Sequence, residues 1–235
     1  MIQNSNPYAT PSQLGVRPAA ALSTAFLTQA FAWMFAGLLV TAIVSWIVQG
    51  SPALISFAAG MILPIFIVQI GIVIGISALI KRISATIGLG LFFVYAATVG
   101  VTVGLIVSFY TTASVATAFL SASAMFGAAA IYGATTKRSL AGLGGILFMG
   151  LVGLIVAMVL NVFLANGAMS WIISIAGVLI FTALTAYDVQ RIQAGDLAAQ
   201  TGSMEKAAVL GALRLYLDFI NLFLFFLRLF GSSRN

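Results

Sequence analysis

The sequence predicts an all-α polytopic membrane protein with seven transmembrane helices. Three observations carry that expectation. Of 235 residues, 62% are hydrophobic and 6% are charged. Seven apolar runs are each long enough to cross a bilayer. Basic residues recur in alternate connections between those runs. A soluble domain has about 25% charged and about 45–50% apolar residues. One water-soluble core would not hide this much apolar surface, so the excess must face lipid. Charge inside a bilayer is costly, which is the physical reason for its scarcity here.

Residues 1–21 are polar or small, with Pro7, Pro11 and Pro18, and read as a disordered cytoplasmic tail. No short apolar stretch there ends in a small-residue cleavage site, so the tail does not read as a signal peptide. A spanning helix needs about 20 mostly apolar residues. The runs at 22–48, 53–80, 86–109, 114–135, 141–164, 168–191 and 207–230 meet that need. They make 22–231 a single transmembrane domain, with 232–235 as a C-terminal tail. Pro64 is expected to kink the second helix. Small residues four apart, Gly71/Gly75 and Gly100/Gly104, are expected to let helix backbones pack closely.

Arg17, Lys81, Arg82, Lys137, Arg138, Arg191 and Lys206 fall on one side if there are seven spans. By the positive-inside rule that side, and the N-terminus, are cytoplasmic. An odd number of spans puts the C-terminus outside. Arg228 and Arg234 favour the opposite placement, which leaves a half-inserted final helix as an alternative.

Cysteine and histidine are both absent. That excludes disulfides, thiolate nucleophiles, zinc sites of the Cys/His kind and a Ser-His-Asp triad. The net charge of +6 is spread over short loops. No nucleic-acid motif accompanies it, so the lipid bilayer is the expected partner. Acid–base chemistry is left to Asp188, Asp196, Glu205, Asp218, lysines, arginines and tyrosines.

Asp188 ends the sixth run within Thr185-Ala186-Tyr187-Asp188-Val189-Gln190. Asp218 lies inside the seventh within Leu215-Tyr216-Leu217-Asp218-Phe219-Ile220-Asn221-Leu222-Phe223. No other acid falls in a predicted span, and an intramembrane ionisable residue is a functional hypothesis by default. Thr201, Gly202 and Ser203 form a natural turn between these helices, with Ser203 as N-cap and Glu205 favourable in the first turn. Gly195 can interrupt the earlier helix. In a simple hairpin about 203 the two carboxylates lie level, each roughly 22 Å along a helix from the turn. Two level carboxylates in low dielectric cannot both ionise cheaply and are expected to titrate as a unit. Ionised together they would attract a hard cation such as Ca²⁺; protonated, they would share a hydrogen bond. Arg214 sits four residues before Asp218 on the same helix face and competes with Asp188 for it. Asn221, Tyr187 and Tyr216 are candidate supporting residues. The plain alternative is that each carboxylate is satisfied by a local arginine.

Tyr187-Asp188-Val189-Gln190, the Asp218 segment and Leu227-Arg228-Leu229-Phe230-Gly231 together resemble the transmembrane Bax inhibitor motif family, in its bacterial branch. The resemblance extends more loosely over 22–231. It implies a seven-helix fold with the final helix central and surrounded by the other six. It also implies a pH-sensitive Ca²⁺ leak controlled by the carboxylates at Asp188 and Asp218. The family's basic latch residue corresponds best to Arg82, by spacing to Gly88 and Gly100. Arg214 departs from the family pattern, in which a small polar residue stands.

Three functional readings follow. The first is a cation leak channel gated by protonation of Asp188 and Asp218. It would need no obligatory cofactor, would carry Ca²⁺ as transported ion, and would sit in a bacterial inner membrane. The second is a non-conducting regulator that binds other membrane proteins. The third is an intramembrane aspartyl protease; its Gly-x-Gly-Asp signature is missing, since Leu215-Tyr216-Leu217 precedes Asp218. The chain is therefore expected not to be an enzyme.

Overall fold

A computed structural model describes residues 20–232, with side chains from Ala25 onward. Most of the tail 1–21, including Arg17, lies outside the described residues, as do Arg234 and the rest of 233–235. The described chain is helical almost throughout, and seven of its helices are long and apolar enough to cross a membrane. The helices are α1 (Ala20–Gln49), α2 (Pro52–Gly60), α3 (Ile62–Leu79), α4 (Ala85–Val107), α5 (Thr112–Thr135), α6 (Gly144–Leu164), α7 (Gly167–Gln193), α8 (Asp196–Thr201) and α9 (Met204–Phe230).

Helix starts follow local chemistry. Ser51, Ser84, Thr111, Asn166 and Ser203 each accept a backbone N–H of the following turn, satisfying a donor that would otherwise be orphaned. Ser203 is thus the cap of α9, with Glu205 in its first turn.

The second predicted span is divided. Where a kink was expected at Pro64, the helix ends at Gly60 and restarts after Met61. Proline has no N–H, and its ring clashes with the carbonyl four residues earlier, here Gly60. The longer part, α3, is the span proper, and α2 is a short prelude.

The glycine pairs behave differently. A Cβ at Gly100 would meet Val44 Cβ at 2.7 Å and Thr41 O at 2.9 Å; at Gly104 it would meet Val48 Cβ at 2.8 Å and Ser45 O at 2.9 Å. These two glycines let α1 and α4 form the most extensive helix pairing of the structure. At Gly71 and Gly75 a Cβ would meet nothing within 4 Å. They lie on α3, the least buried span, so the expected close packing does not occur there.

The most buried span is α9. It packs against α1, α4, α5 and α7, while α3 lies chiefly on α4 and α6 on α7. At 27 residues α9 is about 40 Å long, enough to cross the hydrocarbon. Its far end is tied down: Ser232 N–H donates to Ser114 Oγ (2.9 Å) and Ser232 O accepts from Thr111 N (3.2 Å). The residues just after α9 therefore sit at the end of the bundle opposite Lys81, Arg82, Lys137 and Arg138. Within the bundle α9 therefore runs from one end to the other.

Candidate functional site

Asp188 and Asp218 are both buried inside the bundle, at 7% and 4% exposure, on the neighbouring helices α7 and α9. The chain between them is not a simple turn. Gly195 (φ 78°) ends α7 and Gly202 (φ 72°) ends α8, both in left-handed geometry that glycine adopts without strain. The short α8 between them shifts the pairing of the long helices. Ile192 lies against Gly211, and Phe225 against Gly177. In that register Asp188 is level with Arg214 and Leu215, and Asp218 lies about one turn deeper. The carboxylates are thus staggered rather than level.

The stagger decides the ion pair. Arg214 Nη1 donates to Asp188 Oδ1 at 3.1 Å. Arg214 therefore reaches across to α7 instead of pairing with Asp218 one turn along its own helix. Asp218 Oδ2 is buried with no hydrogen-bond partner. That is unusual, because buried polar atoms nearly always find one. Asp218 remains within electrostatic range of both Asp188 and Arg214, and Arg191 acts on Asp188 from the same helix.

The other predicted residues are dispersed. Arg82 is exposed in the α3–α4 connection, and the basic contact to Asp188 comes from Arg214 instead. Beside Arg82, Lys206 Nζ donates to Lys81 O at 2.9 Å, tying the start of α9 to that connection. Asn221 donates to Leu217 O within α9 (2.8 Å) and not to either carboxylate. Tyr187 packs at the back of α7 under Arg191, whose guanidinium lies 5.5 Å from the ring centroid.

Tyr216 belongs to a separate network on the other side of α9. It is fully buried, its hydroxyl lies 2.6 Å from Thr41 Oγ1, and Thr41 donates to Ala96 O at 2.9 Å. With its own hydrogen committed to Ala96, Thr41 receives one from Tyr216. Phe92 and Tyr95 meet the Tyr216 ring edge-on. Thus α9 is tied to α1 and α4 through Tyr216 and to α7 through Arg214. Thr41 escaped the sequence reading because a lone threonine in an apolar run carries no distinguishing signal. Gln69, buried and donating to Thr102 Oγ1 across α3 and α4 at 2.9 Å, had one: it is an amide in the middle of a span.

Among the described residues no three Asp, Glu, His or Cys side chains gather as a metal cluster. A hard cation at the two aspartates would take its remaining oxygens from water or backbone.

The fold and site define a seven-helix integral membrane protein whose buried ionisable groups lie between its last two spans. The family described as "Inhibitor of apoptosis-promoting Bax1" matches residues 23–235, and the chain belongs to that family. It is 42% identical over 231 residues to the "Inner membrane protein YbhL" of Escherichia coli K12, covering 93% of this chain and 96% of the relative. A protein of Borreliella burgdorferi is 39% identical, with 89% and 93% covered. One of Deinococcus radiodurans is 37% identical, with 89% and 91% covered.

Proposed function

We propose that this protein is a pH-sensitive cation leak channel, with Ca²⁺ as the favoured ion, gated by protonation of the Asp188/Asp218 pair. The observation that supports the reading most is Asp218 itself. It is a carboxyl group in the most buried span, with one oxygen unpartnered, one turn beyond the Arg214 ion pair that joins this span to the adjacent helix. Burying an unpaired charge is costly, and removing the charge by protonation relieves the cost. The protonation state of Asp218 thus biases the packing of α7 against α9. With Asp218 neutral, Arg214 neutralises Asp188 and the helices stay together. With Asp218 ionised, two carboxylates compete for one guanidinium. Their repulsion favours separation, and a passing cation stabilises the separated form. Differential stabilisation of this kind is what any opening signal must supply.

The chain does no chemistry on a substrate in this reading. A protease dyad needs two carboxyls sharing a proton, and here Asp188 is engaged by Arg214. The basic connections face the cytoplasm of a bacterial inner membrane, which puts the N-terminus inside and α9 ending outside.

The test is Ca²⁺ flux into liposomes holding the purified protein, scanned from about pH 6 to 8, with Asp188→Asn and Asp218→Asn alongside. Flux that follows pH in the native chain and loses that dependence in Asp218→Asn supports the gate. Absence of flux at every pH overturns it and leaves a non-conducting regulator of other membrane proteins as the reading.

A further inference from the structure

The last turns of α7 present two faces. One carries Asp188 and Ile192 toward α9, where they meet Arg214 and Gly211. The other carries Ala186, Tyr187 and Gln190 away from α9, with Arg191 at its edge, one turn from Asp188. That back face is covered by the end of α5 and the connection 136–143. A Cβ at Gly133 would collide with the carbonyl of Ala186, and one at Gly144 would meet Tyr187 Oη at 2.6 Å. Leu140 is buried in a small cluster with Ala129 and Ala186, and Tyr187 packs against it.

Gln190 holds this arrangement through both ends of its amide. Its Nε2 donates to Arg138 O at 2.9 Å, and its Oε1 accepts from Leu140 N at 2.7 Å. One side chain thereby satisfies two backbone groups of a connection that has no helix partner for them, as a neighbouring strand would. It does so half a turn from Asp188 on the same helix.

We propose that Gln190 is a positioning residue for Asp188. By fastening the 136–143 connection to the back of α7, it fixes the turn that presents the carboxylate to Arg214, and so sets how readily Asp188 is released. The inference deepens the gating reading and rests on it for its functional meaning. The groups that face Asp188 are Arg214 and Asp218 from α9 and Arg191 from its own helix. Lys137 and Arg138 stand exposed on the stapled connection, Asp196 lies on α8, and α1 and α5 carry no charged residue among those described.

Two variants test it: Gln190→Met, which keeps the shape and removes both hydrogen bonds, and Gln190→Glu, which keeps the acceptor and loses the donor. The primary measurement is the rate at which a hydrophobic carbodiimide modifies Asp188 in the purified protein, read by peptide mass spectrometry from about pH 6 to 8. Circular dichroism serves as the check on folding. Gln190→Met should fold, modify Asp188 about fivefold faster, the equivalent of about one hydrogen bond, and displace the pH profile of Ca²⁺ flux. Gln190→Glu should fall between it and the native chain. Native-rate modification in folded Gln190→Met overturns the proposal; should that variant not fold, native-rate modification in Gln190→Glu does so. Faster modification in a protein that passes no Ca²⁺ at any pH sustains the positioning role and overturns the leak.

Discussion

Asp188 and Arg214 form the ion pair whose removal is most informative. Asp188 has a side chain only 10% exposed, whereas Arg214 is 28% exposed. Taking away the arginine strands a buried carboxylate, a change that costs about 3–5 kcal/mol for a fully buried pair. Partial exposure of Arg214 lowers the expectation for Arg214→Met to about 2 kcal/mol. Adding Asp188→Asn to that variant should recover most of the loss, because the stranded charge disappears. A double-mutant cycle of detergent melting curves reads both steps, and an unrecovered double variant would mean that the pair is not the main interaction of Asp188. Both acids were legible in the sequence as the only ones within apolar runs. The arginine's choice between them was not. Arg214 and Asp218 are four apart on one helix, and only the register of α7 on α9 shows that Asp188 is as near. That register depends on α8, six residues that the simple-hairpin reading counts as a continuation of the earlier helix up to the turn at 201–203.

At the scale of elements, two glycine pairs share one sequence signature and the fold uses only one of them for close packing. Gly100→Val should cost about 1–3 kcal/mol, as overpacking does, because Val44 and Thr41 O leave no room for a side chain. Gly71→Ala should stay within about 0.5 kcal/mol of the native chain. Melting temperatures of the two variants side by side check the contrast, and equal losses would mean that Gly71 is closely packed against a neighbour. The seven apolar runs were readable to within a few residues, because the bilayer sets their length. The break at Met61 was readable in position through Pro64 but not in extent. Whether a proline kinks or divides a helix depends on how the freed carbonyls are met by neighbours, and no single sequence states that. Tyr216→Phe belongs to the same scale, since its hydroxyl ties α9 to α1. It should cost about 1 kcal/mol and leave Thr41 bonded to Ala96 O.

For the whole molecule, the contacts of Ser232 with Thr111 and Ser114 fix the two ends of α9 at opposite ends of the bundle. Charge then proposes which end is which. Lys81, Arg82, Lys137 and Arg138 gather at one end, and the connections near Gly50, Tyr110 and Asn166 carry no charge. The rule that makes the basic end cytoplasmic acts on short loops near helix ends, and these loops qualify. Arg228 pulls the other way, yet it stands on the last turn of α9, where a cation is favoured by the helix C-terminus whichever side it faces. It is therefore a poor guide to orientation. The native chain lacks cysteine, so single substitutions can be read without background. Ser139→Cys and Gly50→Cys are both at exposed positions, at opposite ends of the bundle. In intact bacterial cells a membrane-impermeant maleimide should label Gly50→Cys and spare Ser139→Cys, and lysis should expose the second. The reverse pattern would invert the protein. The carboxylate site would keep its geometry, and the gate proposed above would then answer to the pH of the other compartment. Labelling of both in intact cells would mean that the two ends do not lie on opposite sides of the bilayer.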